Sequence, residues 1–142
     1  MKSILLILSA ICLVTVFISC KKSSTSQGPP PVFSWRMDNG AEQLSDTTSF
    51  LSLFGYNYIF GKKGTTSVFV STNSTNPGTY STMSASAAFG LTIAGTQYSS
   101  LSGTVMIISN SNRRLMGNYS AELINGNIDT VILSGTFSNI GY

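Results

Sequence analysis

Residues 115–123 read Leu115-Met116-Gly117-Asn118-Tyr119-Ser120-Ala121-Glu122-Leu123. The odd positions carry leucine, glycine, tyrosine, alanine and leucine, whereas the even positions are mostly polar. Successive side chains of a β-strand point to opposite faces of the sheet. This alternation therefore predicts a strand with one buried and one solvent-facing side, and it places Glu122 on the outer side.

The register of this strand against the next one follows from the same pattern. A two-residue turn within Asn125-Gly126-Asn127 would pair Tyr119 with Ile132 and mix the two faces. A three-residue loop pairs Tyr119 with Leu133 and keeps the apolar faces together. We predict the three-residue loop, because a slip of one residue moves every side chain to the wrong face. This loop needs Asn127 in the left-handed conformation, and it points Asp129 inward.

The other pairs of the predicted register extend over the last three strands. They are Ala121 with Val131, Gly117 with Gly135, Leu115 with Phe137, Ile107 with Leu115, Val105 with Gly117, and Gly103 with Tyr119. In this arrangement Tyr119 covers a glycine on each neighbouring strand, which is a packing role rather than a chemical one.

The chain from residue 32 onward has the same character throughout. Short segments rich in Val, Ile, Thr, Tyr and Phe are separated by Gly, Asn, Ser and Pro, and helical periodicity is not evident. We predict one all-β domain over 32–142, an antiparallel β-sandwich or flattened barrel of about 8–10 strands. Asp38-Asn39-Gly40 is a predicted turn, and the predicted strands are 32–37, 41–45, 48–53, 56–61, 66–72, 87–93, 96–100, 103–109, 113–124 and 128–138.

Charged residues are few, and their distribution limits the classes of function. The 142 residues include 8 Lys or Arg, 5 Asp or Glu and no His, which excludes mechanisms and metal sites that need an imidazole. Residues 32–142 contain five basic and five acidic residues, so the net charge of +3 belongs to the first 31 residues. The domain has no basic excess that would favour nucleic-acid binding.

The first 19 residues have the features of a secretory signal peptide. Lys2 precedes an apolar run over 4–18, shorter than the roughly 20 residues that span a membrane. Phe17-Ile18-Ser19-Cys20 resembles the lipobox of bacterial lipoproteins, where cleavage between Ser19 and Cys20 leaves a cysteine that carries diacylglycerol. Cleavage would leave Cys20 as the only cysteine, so no intramolecular disulfide could form. The alternative is an uncleaved transmembrane anchor.

Residues 20–31 are predicted to be a tether between the lipidated cysteine and the domain. The segment is rich in Ser and ends in Pro29-Pro30-Pro31, which favours a stiff, extended conformation. An acylated Cys20 would hold the protein in the membrane, because each buried methylene contributes about 0.8 kcal/mol. We expect a lipid-anchored protein of the cell envelope, at the outer membrane, facing either the periplasm or the cell surface. Lys21 and Lys22 argue against a surface-export signal.

Short motifs spread over the mature chain resemble a family of small lipoproteins of the Bacteroidota phylum, whose all-β domain has no assigned function. Besides the lipobox they are Phe33-Ser34-Trp35-Arg36-Met37-Asp38-Asn39-Gly40, Pro77-Gly78-Thr79-Tyr80, Ser102-Gly103-Thr104-Val105 and Ser134-Gly135-Thr136-Phe137-Ser138. The resemblance implies an envelope location and a β fold, and it supplies no catalytic residue.

Paired carboxylates are the only catalytic class that the composition leaves open, as in glycoside hydrolysis. Asp38 begins a turn, Glu42 and Asp46 lie in polar stretches, and Glu122 faces outward. Asp129 is the exception, with a hydrogen-bonded loop carboxylate as the alternative interpretation. We predict no enzyme activity, no catalytic residue, no metal site and no cofactor.

Aromatic residues offer the stronger binding hypothesis. Tyr56, Tyr58 and Phe60 alternate along one predicted strand, and Phe33 and Trp35 do so along another. Rings that share one face can stack on sugars or on a partner protein, with Trp35, Tyr56 and Tyr58 as the predicted contacts. The alternative is that these rings form the core.

Asp46-Thr47-Thr48 and Asp129-Thr130-Val131 resemble the acceptor for O-glycans in Bacteroides-type envelopes, and Thr47, which lies in a polar connection, is the predicted modified residue. The predicted function is a noncatalytic module that binds an envelope glycan or protein. A structural or assembly lipoprotein without a small ligand is one alternative, and a two-carboxylate glycoside hydrolase is another.

Overall fold

A computed structural model describes residues 28–126 and 128–142. The predicted signal peptide, its cleavage site at Ser19 and Cys20, the tether up to residue 27, and Asn127 lie outside the described residues. The domain from residue 32 onward is described except for that one position.

The described chain is all-β, as predicted. Its strands are β1 (Val32–Met37), β2 (Gln43–Leu44), β3 (Thr47–Leu53), β4 (Tyr56–Lys63), β5 (Thr66–Thr72), β6 (Gly78–Ser81), β7 (Ala87–Ile93), β8 (Thr96–Ser111), β9 (Arg114–Ile124) and β10 (Thr130–Gly141). Two predicted strands, 96–100 and 103–109, are one strand, β8, whose register shifts between Ser100 and Ser102. Sequence analysis missed β6, which holds only four residues.

The ten strands form one curled antiparallel sheet in the order β2-β1-β10-β9-β8-β7-β5-β4-β3, and β6 pairs with β8 off this path. Consecutive strands β2 and β3 occupy the two edges. Between them, Ser45 donates its backbone N–H to the Phe33 carbonyl at 2.9 Å, and Asp46 donates to the Lys62 carbonyl at 2.8 Å. The bend at Ser45 and Asp46 therefore brings the two edges of the sheet together.

The interior of the curl is filled by apolar side chains that alternate inward along each strand. The Phe33 ring lies over Gly61, where a Cβ atom would overlap it, and stacks on Tyr119 at 5.5 Å between ring centroids. The buried apolar residues are Phe33, Trp35, Ile59, Val68, Val70, Ala87, Phe89, Leu91, Val105, Ile107, Leu115, Tyr119, Ala121, Leu123, Leu133, Phe137 and Ile140. The concave face of the sheet is thus a packed core rather than an open channel.

The two faces of β9 are as predicted, with the odd positions from Leu115 to Leu123 buried and Glu122 exposed. The predicted register is wrong by two residues, because Tyr119 lies opposite Gly135 and Ala121 opposite Leu133. The connection between β9 and β10 is five residues long rather than three. It is closed by the backbone N–H of Asn125, which donates to the Asp129 carbonyl at 3.1 Å. A two-residue shift preserves both faces, so alternation alone cannot detect it.

The predicted register of β8 is wrong in the same way. Tyr119 lies opposite Val105, not Gly103, and Gly117 lies opposite Ile107. Tyr119 therefore faces a glycine on one neighbouring strand only.

Connections alternate between two ends of the sheet, because every neighbouring pair of strands is antiparallel. One end, which we call the lower end, holds the start of β1, the turn at Phe54 and Gly55, the β5–β7 connection, the turn at Asn112 and Arg113, and the end of β10. The upper end holds the β1–β2, β4–β5, β7–β8 and β9–β10 connections. Among the described residues, none forms a helix of sufficient length and apolar character to span a membrane.

Candidate functional site

Four aromatic rings lie together on the convex, outer face of β4 and β5. We call these residues, Tyr56, Tyr58, Phe60 and Phe69, the aromatic strip; each is half-buried. The Tyr58 and Phe60 rings are 6.0 Å apart and nearly parallel, with 15° between their planes. Phe69 lies across from them on β5, 6.1 Å from Phe60 and 6.2 Å from Tyr58. Tyr58, Phe60 and Phe69 therefore form one continuous aromatic surface.

Local sequence explains why the Phe69 ring lies close against the sheet. Phe69 pairs with Gly90 of β7, and a Cβ atom at Gly90 would overlap the Phe69 ring. The missing side chain lets the ring rest on the backbone of β7. Val68 and Val70 point into the core, so alternation along β5 turns Phe69 outward. Sequence reasoning missed Phe69, although the same alternation could have identified it.

Three of the four residues of the aromatic strip line an open cavity of about 530 Å³, which we call the outer cavity. They are Tyr56, Tyr58 and Phe69, and Met83 and Leu101 also belong to the lining. Met83 and Leu101 are 94% and 58% exposed, so they stand at its rim.

Hydrogen bonds hold the segment that closes one side of the outer cavity. The Tyr56 hydroxyl donates to the Ala85 carbonyl at 3.0 Å and ties the 82–86 segment to β4. The Ser71 hydroxyl donates to the Ala88 carbonyl at 3.3 Å, and the Ser100 hydroxyl accepts from the Phe89 N–H at 3.4 Å. All three hydroxyl groups belong to residues of the cavity lining, which contains no charged residue.

Trp35 lies apart from the two tyrosines with which it was grouped. It is 1% exposed and belongs to the core, on the concave face of the sheet, beside Phe33 at 6.2 Å between ring centroids. Its indole N–H is buried and has no hydrogen-bond partner within the described part of the chain. For Trp35 the structure thus matches the alternative interpretation, a core residue.

Thr47 is exposed at the start of β3, and its glycosylation stays a prediction.

The predicted inward orientation of Asp129 is wrong, because the residue is exposed in the β9–β10 connection. Its carboxylate accepts a hydrogen bond from the Asn125 side-chain amide at 3.3 Å. The predicted three-residue loop would have placed Asp129 within a strand, whereas the longer connection leaves it outside β10.

Three of the other carboxylates have defined partners. Asp38 accepts from the Ile132 N–H at 2.9 Å, Asp46 accepts from the Gly64 N–H at 3.3 Å, and Glu42 lies 3.6 Å from the Arg36 guanidinium. Over residues 28–126 and 128–142, no three His, Cys, Asp or Glu residues come together in a way that could hold a metal ion.

No known protein family, curated protein or solved structure matches this chain.

Proposed function

We propose that this chain is a lipid-anchored protein of the cell envelope whose β domain is a noncatalytic module that binds a neutral glycan in the outer cavity. The observation that carries the proposal is the aromatic lining of the outer cavity, Tyr56, Tyr58 and Phe69, beside hydroxyl groups and with no charged residue in the lining. Small-molecule sites combine a mostly apolar, aromatic lining with a few polar groups that fix orientation.

A pyranose ring matches this surface chemically. One face of the sugar presents C–H groups, which pack against the electron-rich face of an aromatic ring. Its hydroxyl groups can exchange hydrogen bonds with the hydroxyl oxygens of Ser71, which lies opposite Tyr58 on β5, and of Ser100, both of which line the cavity. An anionic ligand would find no cation among the lining residues, so the favoured glycan is neutral.

The arrangement of acidic residues supports a noncatalytic module. Glycoside hydrolysis needs two carboxyl groups about 5 to 9 Å apart on either side of the sugar. The outer cavity is lined by no carboxylate, and Asp38, Glu42 and Asp46 have structural partners elsewhere. Binding without turnover is the activity that this lining supports.

The anchor is supported by the lipobox-like Phe17-Ile18-Ser19-Cys20 and the polar tether that follows it. Replacing Cys20 with Ser tests it directly. We expect the variant to leave the membrane fraction when cells are washed with high salt, whereas the unchanged protein stays. Salt-resistant membrane association of the cleaved variant would refute lipidation.

Glycan binding is tested by calorimetric titration of the chain from residue 20 onward, carrying Cys20→Ser, with neutral oligosaccharides released from envelope polysaccharide. We expect binding that weakens at least tenfold in Tyr58→Ala, because the variant removes one of the three aromatic rings that line the cavity. Phe54→Ala is the matched control, since Phe54 is an exposed aromatic residue outside the cavity lining. An equal loss in both variants, or no binding by the unchanged chain, would contradict the proposal.

A protein ligand is the second candidate, favoured by the exposed side chains of Met83 and Leu101 at the cavity rim. Clustered exposed apolar side chains mark protein-binding sites, and methionine adapts to varied partners. Cross-linking in the native envelope separates the two candidates. Capture of one protein that is lost in Met83→Ser but retained in Tyr58→Ala would favour the protein ligand.

A further inference from the structure

Side-chain charge is unevenly distributed between the two ends of the sheet. Asp38 and Glu42 lie at or beside the β1–β2 connection, and Asp129 lies in the β9–β10 connection. Asp46 bonds to Gly64 of the β4–β5 turn, and Glu122 lies opposite Ile132, near the start of β10. All five acidic residues of the described chain therefore lie at or near the upper end.

Among the described residues, Arg113 and Arg114 are the only ones with a charged side chain at the lower end. Arg113 is exposed in the β8–β9 turn, and its guanidinium carbon lies 5.4 Å from the centroid of the Tyr142 ring. Arg114 donates to the Asn139 carbonyl at 3.4 Å. Within the described ranges the one ion pair joins Arg36 to Glu42, so neither arginine is neutralised by a carboxylate. In the part of the chain that the structure describes, the lower end carries two positive side chains, whereas the upper end carries five acidic and three basic ones.

The lower end also presents the β3–β4 turn, whose first residue is Phe54. Phe54 is 90% exposed, and it has a φ of 51°, followed by Gly55 at 81°. Turns with two positive φ angles favour Asn-Gly, because a bulky side chain at positive φ is strained. Phe54 buries little of its side chain against the rest of the fold, and a strained position of this kind is a reason to look for a function. Leu53 beside it is 44% exposed, so the tip of the turn is apolar.

The chain also enters the domain at the lower end. Residues 28–31 precede β1, and the Arg114 guanidinium donates to the Pro29 carbonyl at 3.5 Å. Residue 28 is eight positions after Cys20, a length that spans at most about 28 Å. An acyl chain on Cys20 would thus hold the lower end near the bilayer surface. This step rests on the lipid anchor of the proposed function, whereas the charge and the exposed Phe54 do not.

Taken together, these features lead us to propose that the lower end of the sheet docks on an anionic lipid bilayer, with Arg113 and Arg114 at the headgroups and Phe54 inserted at the interface. Cationic side chains near an anionic leaflet are attracted to it, and apolar side chains beside them enter the headgroup boundary. The upper end also exposes an apolar residue, Ile128, but the acidic residues around it would be repelled by the same surface. Charge therefore selects the orientation.

Vesicle binding tests the docking without any contribution from a lipid anchor. The chain from residue 20 onward, carrying Cys20→Ser, is sedimented with vesicles of phosphatidylcholine alone or of phosphatidylcholine mixed equally with phosphatidylglycerol. We expect binding to the mixed vesicles only, with release at high salt, because surface attraction is screened by ions. Absence of binding to the mixed vesicles would overturn the proposal.

Paired variants locate the binding surface. Combined Arg113→Gln and Arg114→Gln should weaken binding by roughly tenfold or more, since each basic residue at an anionic surface contributes substantially. Lys62→Gln with Lys63→Gln is the matched control, because it removes the same charge at the upper end. Equal losses in the two double variants would overturn the proposed orientation, since the attraction would then depend on charge alone.

Insertion of the turn has its own readout. Phe54→Asn should weaken binding severalfold while the protein stays folded, because asparagine suits the turn. In Phe54→Trp, the emission should shift to shorter wavelength when mixed vesicles are added, whereas the emission of the unchanged chain, with its buried Trp35, should not. Unaltered emission in Phe54→Trp would exclude insertion.

Tyr58→Ala should leave vesicle binding intact, so failure of the glycan proposal is separable from failure of the membrane-docking proposal.

Discussion

The Tyr119 hydroxyl donates a hydrogen bond to the Ser34 carbonyl oxygen at 2.9 Å inside the curl, between residues 85 positions apart in the chain. The ring reaches that oxygen by crossing Gly135, which lies opposite Tyr119 on β10. On the same side of the sheet it stacks with Phe33 at 5.5 Å and with Phe89 at 6.3 Å. Tyr119 therefore joins β9 to β1 across an intervening strand.

Tyr119→Phe should lower the free energy of unfolding by about 1–3 kcal/mol, because the Ser34 carbonyl loses a side-chain donor in a buried site. Urea denaturation measures the change. Tyr80→Phe is the matched control, since the Tyr80 hydroxyl donates to the Asn76 carbonyl at 2.7 Å in an exposed position. We expect a smaller loss there, and equal losses would show that burial of the Tyr119 bond is unimportant.

The pH dependence of stability should carry a contribution from Tyr119. Burial raises the pKa of Tyr119 well above its ordinary value of 10.0. The neutral ring is favoured in the folded state, so this contribution is complete below about pH 10 and is lost as the pH rises further. The difference in unfolding free energy between the unchanged protein and Tyr119→Phe should be constant from neutral pH to about pH 9 and should shrink at higher pH.

Hydrogen bonds with Thr75 and Asn110 lower the pKa of Tyr142, which acts in the opposite direction at high pH. This effect is present in both proteins and cancels in the difference. A difference that grows above pH 10 would contradict the assignment.

Gly135→Ala should destabilise the fold by about 1–3 kcal/mol or more, as overpacking of a tight core does. A Cβ atom there would overlap the Ser34 carbonyl oxygen and would lie 2.6 Å from the Tyr119 hydroxyl oxygen. The first contact is with backbone, so rotation of a side chain cannot relieve it. Gly141→Ala is the control, because no atom lies within 4 Å of its added Cβ. Thermal unfolding of both variants distinguishes them, and matching transitions would contradict the packing described for β1 and β10.

Phe54→Asn should raise the free energy of unfolding by about 1 kcal/mol, because asparagine tolerates positive φ better than phenylalanine does. Phe54→Ala keeps the unfavourable conformation and should give little gain. Chemical denaturation of the two variants measures the difference. A stability gain that accompanies weaker vesicle binding would show that Phe54 is retained for its surface role, whereas a loss of stability in Phe54→Asn would remove the strain argument.

Sequence reasoning identified the strands well where the signal was local. The alternation along β9 predicted its buried and exposed faces, and the Asp38-Asn39-Gly40 turn is present, with the Gly40 N–H bonded to the Met37 carbonyl at 2.8 Å. It also grouped Tyr56, Tyr58 and Phe60 on one face, since side chains two positions apart along a strand point the same way. It could not say whether that face was inner or outer.

The positions of Trp35 and Tyr58 show why sequence alone does not tell the inner face of a strand from its outer face. Both lie in alternating aromatic segments, yet Trp35 points into the core and Tyr58 lies on the outer face. Which face of a strand is covered depends on how the sheet curls, and no window of a few residues contains that information. The outer cavity likewise combines Tyr56, Met83 and Leu101 from separate parts of the chain.

By itself the sequence determined the all-β class, the approximate positions of most strands and the two faces of β9, because a period of two is a property of each strand alone. Tertiary structure decided the register, the bend at Ser45 and Asp46 that brings the sheet edges together, and the separation of acidic residues from Arg113 and Arg114. A shift of two residues leaves every face unchanged, so only the length of the β9–β10 connection and long-range pairing could select the native arrangement.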